Sequence, residues 1–271
     1  MKTQQVKGAM VAYEDLGSGP AVLFLHCSSA SHKEWLFAAR QLAGNRRCLL
    51  PDLMGYGETS SQFDGLGRVV ECRDEDIIAA MVEVAGGPVD IVAHSYGATA
   101  ALEYASRHPG HVRSILAFEP VSFHLLKGTA YRDEWRQIDK LAADVIEAES
   151  AGRSSLSARH YMSFWIGRLR WMLAPRRLRD VVVSTMPKVA YDFSLLSVLP
   201  GNMSGLEKID GPMTLVAGSK SPAPARAVVE VYRSAVRKCR HTVIKRAGHM
   251  MPFTHRDTVM RLVEQHLAAS A

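Results

Sequence analysis

The chain has 271 residues, 47% of them apolar and 22% charged, a balance that supports one large globular domain, or one carrying an insertion, and excludes disorder of the whole chain. Its formal net charge of +6 comes with no aromatic-rich basic motif, which argues against a nucleic-acid partner. Cys27, Cys48, Cys72 and Cys239 form no CxxC pair, so reduced thiols are expected rather than a disulfide framework or a zinc site.

The opening stretch MKTQQVKGAM has no apolar centre and no small-residue cleavage site. Apolar runs such as Ala21 to Leu25 are too short to cross a bilayer, so a cytoplasmic protein without a membrane span is expected. Met10 to Tyr13 and Val22 to His26 are predicted strands. Ser31 to Leu42 is a predicted helix, with Ser31 as N-cap and Glu34 at the spacing of a capping box. Cys48 to Leu50 is the next strand, ending in Pro51-Asp52. A helix over Asp74 to Val84 leads to a strand at Val89 to Ala93. Tyr96 to Arg107 is helical and stopped by Pro109-Gly110, and Val112 to Phe118 is again a strand.

From Val121 to about Leu206 the alternation breaks into helical patterns, notably Asp133 to Ala148 and Tyr161 to Leu173; Val181 to Val183 is too short to assign. Strand Met213 to Ala217, helix Arg226 to Val236, strand Thr242 to Lys245 and helix Asp257 to Leu267 then complete the chain. The expected fold is α/β, with residues 1–120 and 207–271 as a core and 121–206 as an inserted helical cap. Arginines 153, 159, 168, 170, 176, 177 and 179 meet almost no acids. They suit an anionic ligand, a phospholipid surface or a partner, but a solvated helical face is the simpler reading.

The sharpest local signal is Ile91-Val92-Ala93-His94-Ser95-Tyr96-Gly97-Ala98, a strand running straight into a serine and then a helix. Such a turn strains the serine backbone and lifts its hydroxyl above the sheet edge, while small residues at 93 and 97 let strand and helix almost touch. A serine N-cap on an ordinary helix is the plainer alternative. Together with LFLHCSS, PDLMGYGET and RAGHMMP, this segment resembles the α/β-hydrolase superfamily over both halves of the core. The resemblance implies a mostly parallel eight-stranded sheet flanked by helices, with Ser95 as nucleophile.

His249, after the last strand, is then the expected base; a neutral imidazole takes the serine proton and returns it to the leaving group. Most superfamily members place the acid after the strand ending here in Leu215-Val216-Ala217-Gly218, but Ser219-Lys220-Ser221-Pro222 holds no carboxylate. Some branches, including haloalkane dehalogenases, place it one strand earlier, where this chain has Glu119. By resemblance the oxyanion donors are the backbone N–H groups of Tyr96 and Ser28. Cys27 stands where a glycine is common, and its thiol faces the pocket on this reading. Asp52 belongs to a structural loop. Phe123, Trp165, Trp171 and Met250 are candidates for an apolar acyl pocket, or ordinary packing.

The implied activity is hydrolysis of a carboxylic ester or related acyl bond of an apolar small molecule, with no cofactor and no metal; a homodimer is allowed. Lactonases, thioesterases, C–C hydrolases, perhydrolases and cofactor-free oxygenases or lyases resemble one another closely here. A non-catalytic ligand receptor that keeps the site is the reading from another class. The serine disfavours epoxide hydrolase and haloalkane dehalogenase chemistry, whose nucleophile is an aspartate.

Overall fold

The computed structural model describes residues 1–59, 72–196 and 203–270. Strands β1 (Lys2–Val6) and β2 (Ala9–Leu16) form an antiparallel hairpin. β3 (Ala21–Leu25), β4 (Arg47–Pro51), β5 (Val89–His94), β6 (Val112–Phe118), β7 (Met213–Gly218) and β8 (Cys239–Ile244) run parallel to one another, and β2 pairs antiparallel with β4. The eight-stranded order is β1-β2-β4-β3-β5-β6-β7-β8. Every residue of β3 and β5 is buried, as continuous apolar runs covered on both faces require.

The helices are α1 (Leu36–Leu42), α2 (Asp74–Ala85), α3 (Tyr96–Arg107), α4 (Arg132–Ser150), α5 (Ser154–Ile166), α6 (Arg168–Met172), α7 (Arg176–Leu196), α8 (Ala223–Ala235), α9 (Met251–Thr254) and α10 (Arg256–Ala269). Trp35, Ala38, Val259 and Val263 pack α1 and α10 on one sheet face. Ile77, Leu102 and Val228 pack α2, α3 and α8 on the other, where the core continues through Val145 of α4, Tyr161 of α5 and Met186 of α7. Helices α4 to α7 all lie between β6 and β7.

Several elements differ from expectation for local reasons. The hairpin strand β1 is absent from the reading above, because KTQQV is mostly polar and exposed at the sheet edge. β8 begins at Cys239, three residues before the predicted start, again as a half-exposed edge strand whose Arg240 and His241 mask its character. The predicted Ser31 to Leu42 helix is a short 3-10 turn, His32–Glu34, followed by α1. Gly167, at φ 85°, divides the Tyr161 to Leu173 pattern into α5 and α6. Val181 to Val183 lies inside α7.

Candidate active site

Ser95 joins β5 to α3 with φ 56° and ψ −118°, a conformation that a serine adopts only when its surroundings impose it. They do so here. Its N–H donates to the Phe118 carbonyl of β6 (2.9 Å), and a Cβ at Gly97 would stand 2.5 Å from the His26 carbonyl oxygen. Ala93 is fully buried and the turn keeps its shape around that methyl. The serine sits at the N-terminus of α3, where backbone N–H groups lack partners within the helix.

Glu119 ends β6 and also takes a positive φ, 44°. One carboxylate oxygen accepts the Gly218 N–H at the end of β7 (2.6 Å). The other lies 2.7 Å from His249 Nδ1, and His249 Nε2 lies 2.9 Å from Ser95 Oγ. The structure therefore brings Ser95, His249 and Glu119 into one chain of hydrogen bonds. The carboxylate enters from β6 and reaches the end of β7, the strand after which the usual acid position is vacant. Burial by itself raises the Glu119 carboxyl, but the hydrogen bond and charge of His249, with the Gly218 N–H, outweigh it and hold the group below the ordinary carboxylate value. Burial pulls the His249 imidazole below its ordinary value, against the opposing pull of Glu119.

A second histidine–carboxylate couple lies behind the first. His94 Nδ1 is 2.6 Å from Glu34 Oε1, and His94 Nε2 is 2.9 Å from the His249 carbonyl oxygen. Glu34 Oε2 accepts the Cys27 N–H at 2.8 Å. The expected capping box is thus a misreading. Ser31 does accept the Lys33 N–H, but Glu34 turns inward instead of back to the cap. Both nitrogens of His94 face acceptors, so the couple ties the His249 backbone to the loop after β3. Cys27 Sγ, a Glu34 oxygen and a His94 nitrogen lie within 4.8 Å of one another. They are the residues that would have to hold a metal ion, but both Glu34 oxygens are already engaged within the protein. Burial first, then the Glu34 charge, pushes the Cys27 thiol well above its usual value, which leaves it a poor nucleophile.

With the Cys27 N–H committed to Glu34, the next amide is Ser28, the second residue of a turn closed by Ala30 N–H to Cys27 O (3.2 Å). That turn does not use the Ser28 N–H. Ser29 completes it at φ 59°. Asp52 accepts the His32 N–H (2.6 Å), faces His32 Nδ1 (2.9 Å) and accepts the Glu58 N–H (2.8 Å), so its oxygens organise loops.

Among the pocket candidates, Trp165 of α5 stacks flat on His249, with ring centroids 3.7 Å apart and planes at 19°. Phe123 stacks on Trp165 at 6.3 Å, and Tyr161 meets it edge-on at 6.2 Å. Trp165 Nε1 is buried without a hydrogen-bond partner among the described residues. Met250 is half-buried and its carbonyl accepts the Phe253 N–H of α9 at 3.1 Å. Sequence reasoning missed Lys188 of α7 altogether. Its ammonium is buried against Asp192 (2.5 Å), 3.9 Å from Asp74 and over the rings of Tyr56 and Tyr96 at 5.1 and 4.9 Å. The Tyr96 hydroxyl donates to Asp74 (2.6 Å) and the Tyr56 hydroxyl to Asp192 (2.9 Å). An isolated lysine in a helical pattern gives no sign of such a partner set.

The sequence matches the alpha/beta hydrolase family over residues 22–262. It is 33% identical over 114 residues to a haloalkane dehalogenase of Agrobacterium fabrum, covering 42% of this chain and 37% of that protein. A proline iminopeptidase of Heyndrickxia coagulans is 22% identical over 258 residues, covering 88% of this chain and 87% of that one. The chain spans only 37% to 51% of the length of the first curated relatives it matches. Among solved structures, a thermophilic esterase from Thermogutta terrifontis superposes with a TM-score of 0.74 at 17% identity, over 100% of this chain and 99% of that one. No helix among the described residues is long and apolar enough to cross a membrane.

Proposed function

The chain belongs to the alpha/beta hydrolase family, and from that premise we propose that it is a serine hydrolase cleaving a carboxylic ester or related acyl bond of a small, largely apolar molecule. One observation carries the reading: the hydrogen-bonded line from Ser95 Oγ through His249 to Glu119, with the serine held in a strained turn at a helix N-terminus.

In this mechanism the Ser95 hydroxyl donates to unprotonated His249 Nε2. As Oγ attacks the substrate carbonyl, its proton passes to Nε2, and the Nδ1–H of the resulting imidazolium is stabilised by Glu119. The N–H groups of Tyr96 and Ser28 take up the developing oxyanion. The imidazolium then protonates the leaving group. A water molecule, activated by the same nitrogen, attacks the acyl-enzyme, releases the acid and restores the hydroxyl. Trp165, Phe123 and Cys27 line the acyl side, with Met250 at its rim.

Serine also separates this chemistry from carbon–halogen displacement. A serine that displaced a halide would be left as an alkyl ether, which has no carbonyl for water to attack. The dehalogenase relative therefore supports the scaffold rather than the substrate.

The test is labelling with a fluorophosphonate and turnover of short p-nitrophenyl esters, with Ser95→Ala as control. Wild-type protein is expected to be labelled and to turn over an ester, and Ser95→Ala to lose the label and at least about 10⁴-fold in kcat. Labelling without turnover of any ester, thioester or lactone would overturn the enzymatic reading in favour of a ligand receptor.

A further inference from the structure

Five of the nine large apolar side chains that are exposed among the described residues fall between positions 169 and 181. Leu169, Met172 and Leu173 are 69%, 57% and 76% exposed. Their spacing of three and four residues puts them on one face of α6 and its last turn, while Trp171, on the opposite face, is buried in the core. Helix α6 is therefore anchored from below and offers an apolar stripe outward, the reverse of a helix that merely covers a core.

The stripe is bordered by mostly positive charge. Arg168 and Arg170 flank Leu169, and Arg177 and Arg179 continue the border along the first turn of α7 beside exposed Leu178. Of the arginines in this stretch only Arg176 has an acidic partner among the described residues, Asp180 at 3.7 Å, in a pair open to solvent. Guanidinium groups around protruding leucines are poorly matched to a neutral protein surface. They match a bilayer, whose headgroups take the charge and whose acyl boundary takes the leucines. A merely solvated face would not hold three large apolar side chains in register on a helix that has already buried its tryptophan.

We propose that α6 and the start of α7 form a docking surface for anionic phospholipid bilayers, Leu169, Met172 and Leu173 entering the headgroup–acyl boundary and the four free arginines contacting lipid phosphates. Helix α6 follows directly on α5, which carries the Trp165 that covers His249, so docking places the inserted helices between the bilayer and the serine site.

The experiment is co-sedimentation of full-length protein with phosphatidylcholine vesicles, with and without an equal share of phosphatidylglycerol. Binding is expected only with the anionic lipid, and is expected to weaken as salt is raised from about 0.1 M to about 1 M. Arg168→Gln with Arg170→Gln is expected to lower the partition coefficient about 25-fold, near fivefold per charge. Leu169→Ser with Leu173→Ser is expected to lower it at least about tenfold. Both variants should retain wild-type circular dichroism, and Ser95→Ala should bind as wild type does, because docking does not depend on turnover. Equal binding to neutral vesicles, no binding to either, or full binding by both double variants would overturn the proposal. So would a concentration-dependent dimer, without lipid, that the leucine variant abolishes, since the surface would then belong to a second copy.

Discussion

Glu119 is where the side-chain chemistry is most exposed to test. Glu119→Gln keeps the volume and one hydrogen bond but no longer fixes the Nδ1–H tautomer or faces the imidazolium with a charge, so kcat is expected to fall about 10⁴-fold with the fold retained. Near-wild-type turnover would remove Glu119 from the mechanism. His249 must be unprotonated to accept the serine proton, and burial holds its pKa below the ordinary histidine value. The acid limb of kcat/KM is accordingly expected below pH ~6.5, with the rate rising as pH rises through it. A limb above that point would contradict the assignment. The meeting of Ser95 and His249 was legible because their motifs tie residue type to a position in the chain. Glu34 was not. Ser-x-x-Glu reads the same whether the glutamate turns back to its cap or inward to His94, and only packing decides between them.

Among the elements, the β5–α3 turn depends on one missing side chain. Gly97→Ala would put a methyl 2.5 Å from the His26 carbonyl oxygen, in backbone that has little room to move. A loss of about 1–3 kcal/mol in urea denaturation is expected, together with lower kcat from a displaced Ser95. Wild-type values for both would show the turn to be looser than described. Helix α7 makes its own demand through Lys188. Lys188→Met leaves buried Asp192 facing Asp74 without a cation, and about 3–5 kcal/mol of stability should be lost. The central strands and α3 were legible from their apolar runs and turn residues. The edge strands β1 and β8 were not, since an edge carries polar side chains that erase the pattern.

For the molecule as a whole, buried titratable groups set how stability follows pH. Burial lowers His124 and His266 to about 4, while an unfolded histidine titrates near 6.5, so the unfolded chain takes up these protons first on acidification and stability falls. Glu103, raised by burial to about 7, acts in the opposite sense, because the folded protein protonates it first. Two histidines shifted by a similar extent outweigh one carboxyl. Tm is therefore expected to drop between pH 7 and 5, and more steeply in Glu103→Gln; a Tm that climbs over this range would refute the accounting. The layered α/β fold was legible at this scale from its regular alternation of strands and helices, which long helical stretches interrupt between Phe118 and Met213. The place of helices α4 to α7 has a wider consequence. Ser95, Glu119 and His249 all stand at the ends of sheet strands or just beyond them, and helices α4 to α7 lend none of the three. Exchanging that whole stretch for another would leave the hydrogen-bonded line intact, so the surroundings of the serine can change without moving Ser95, His249 or Glu119.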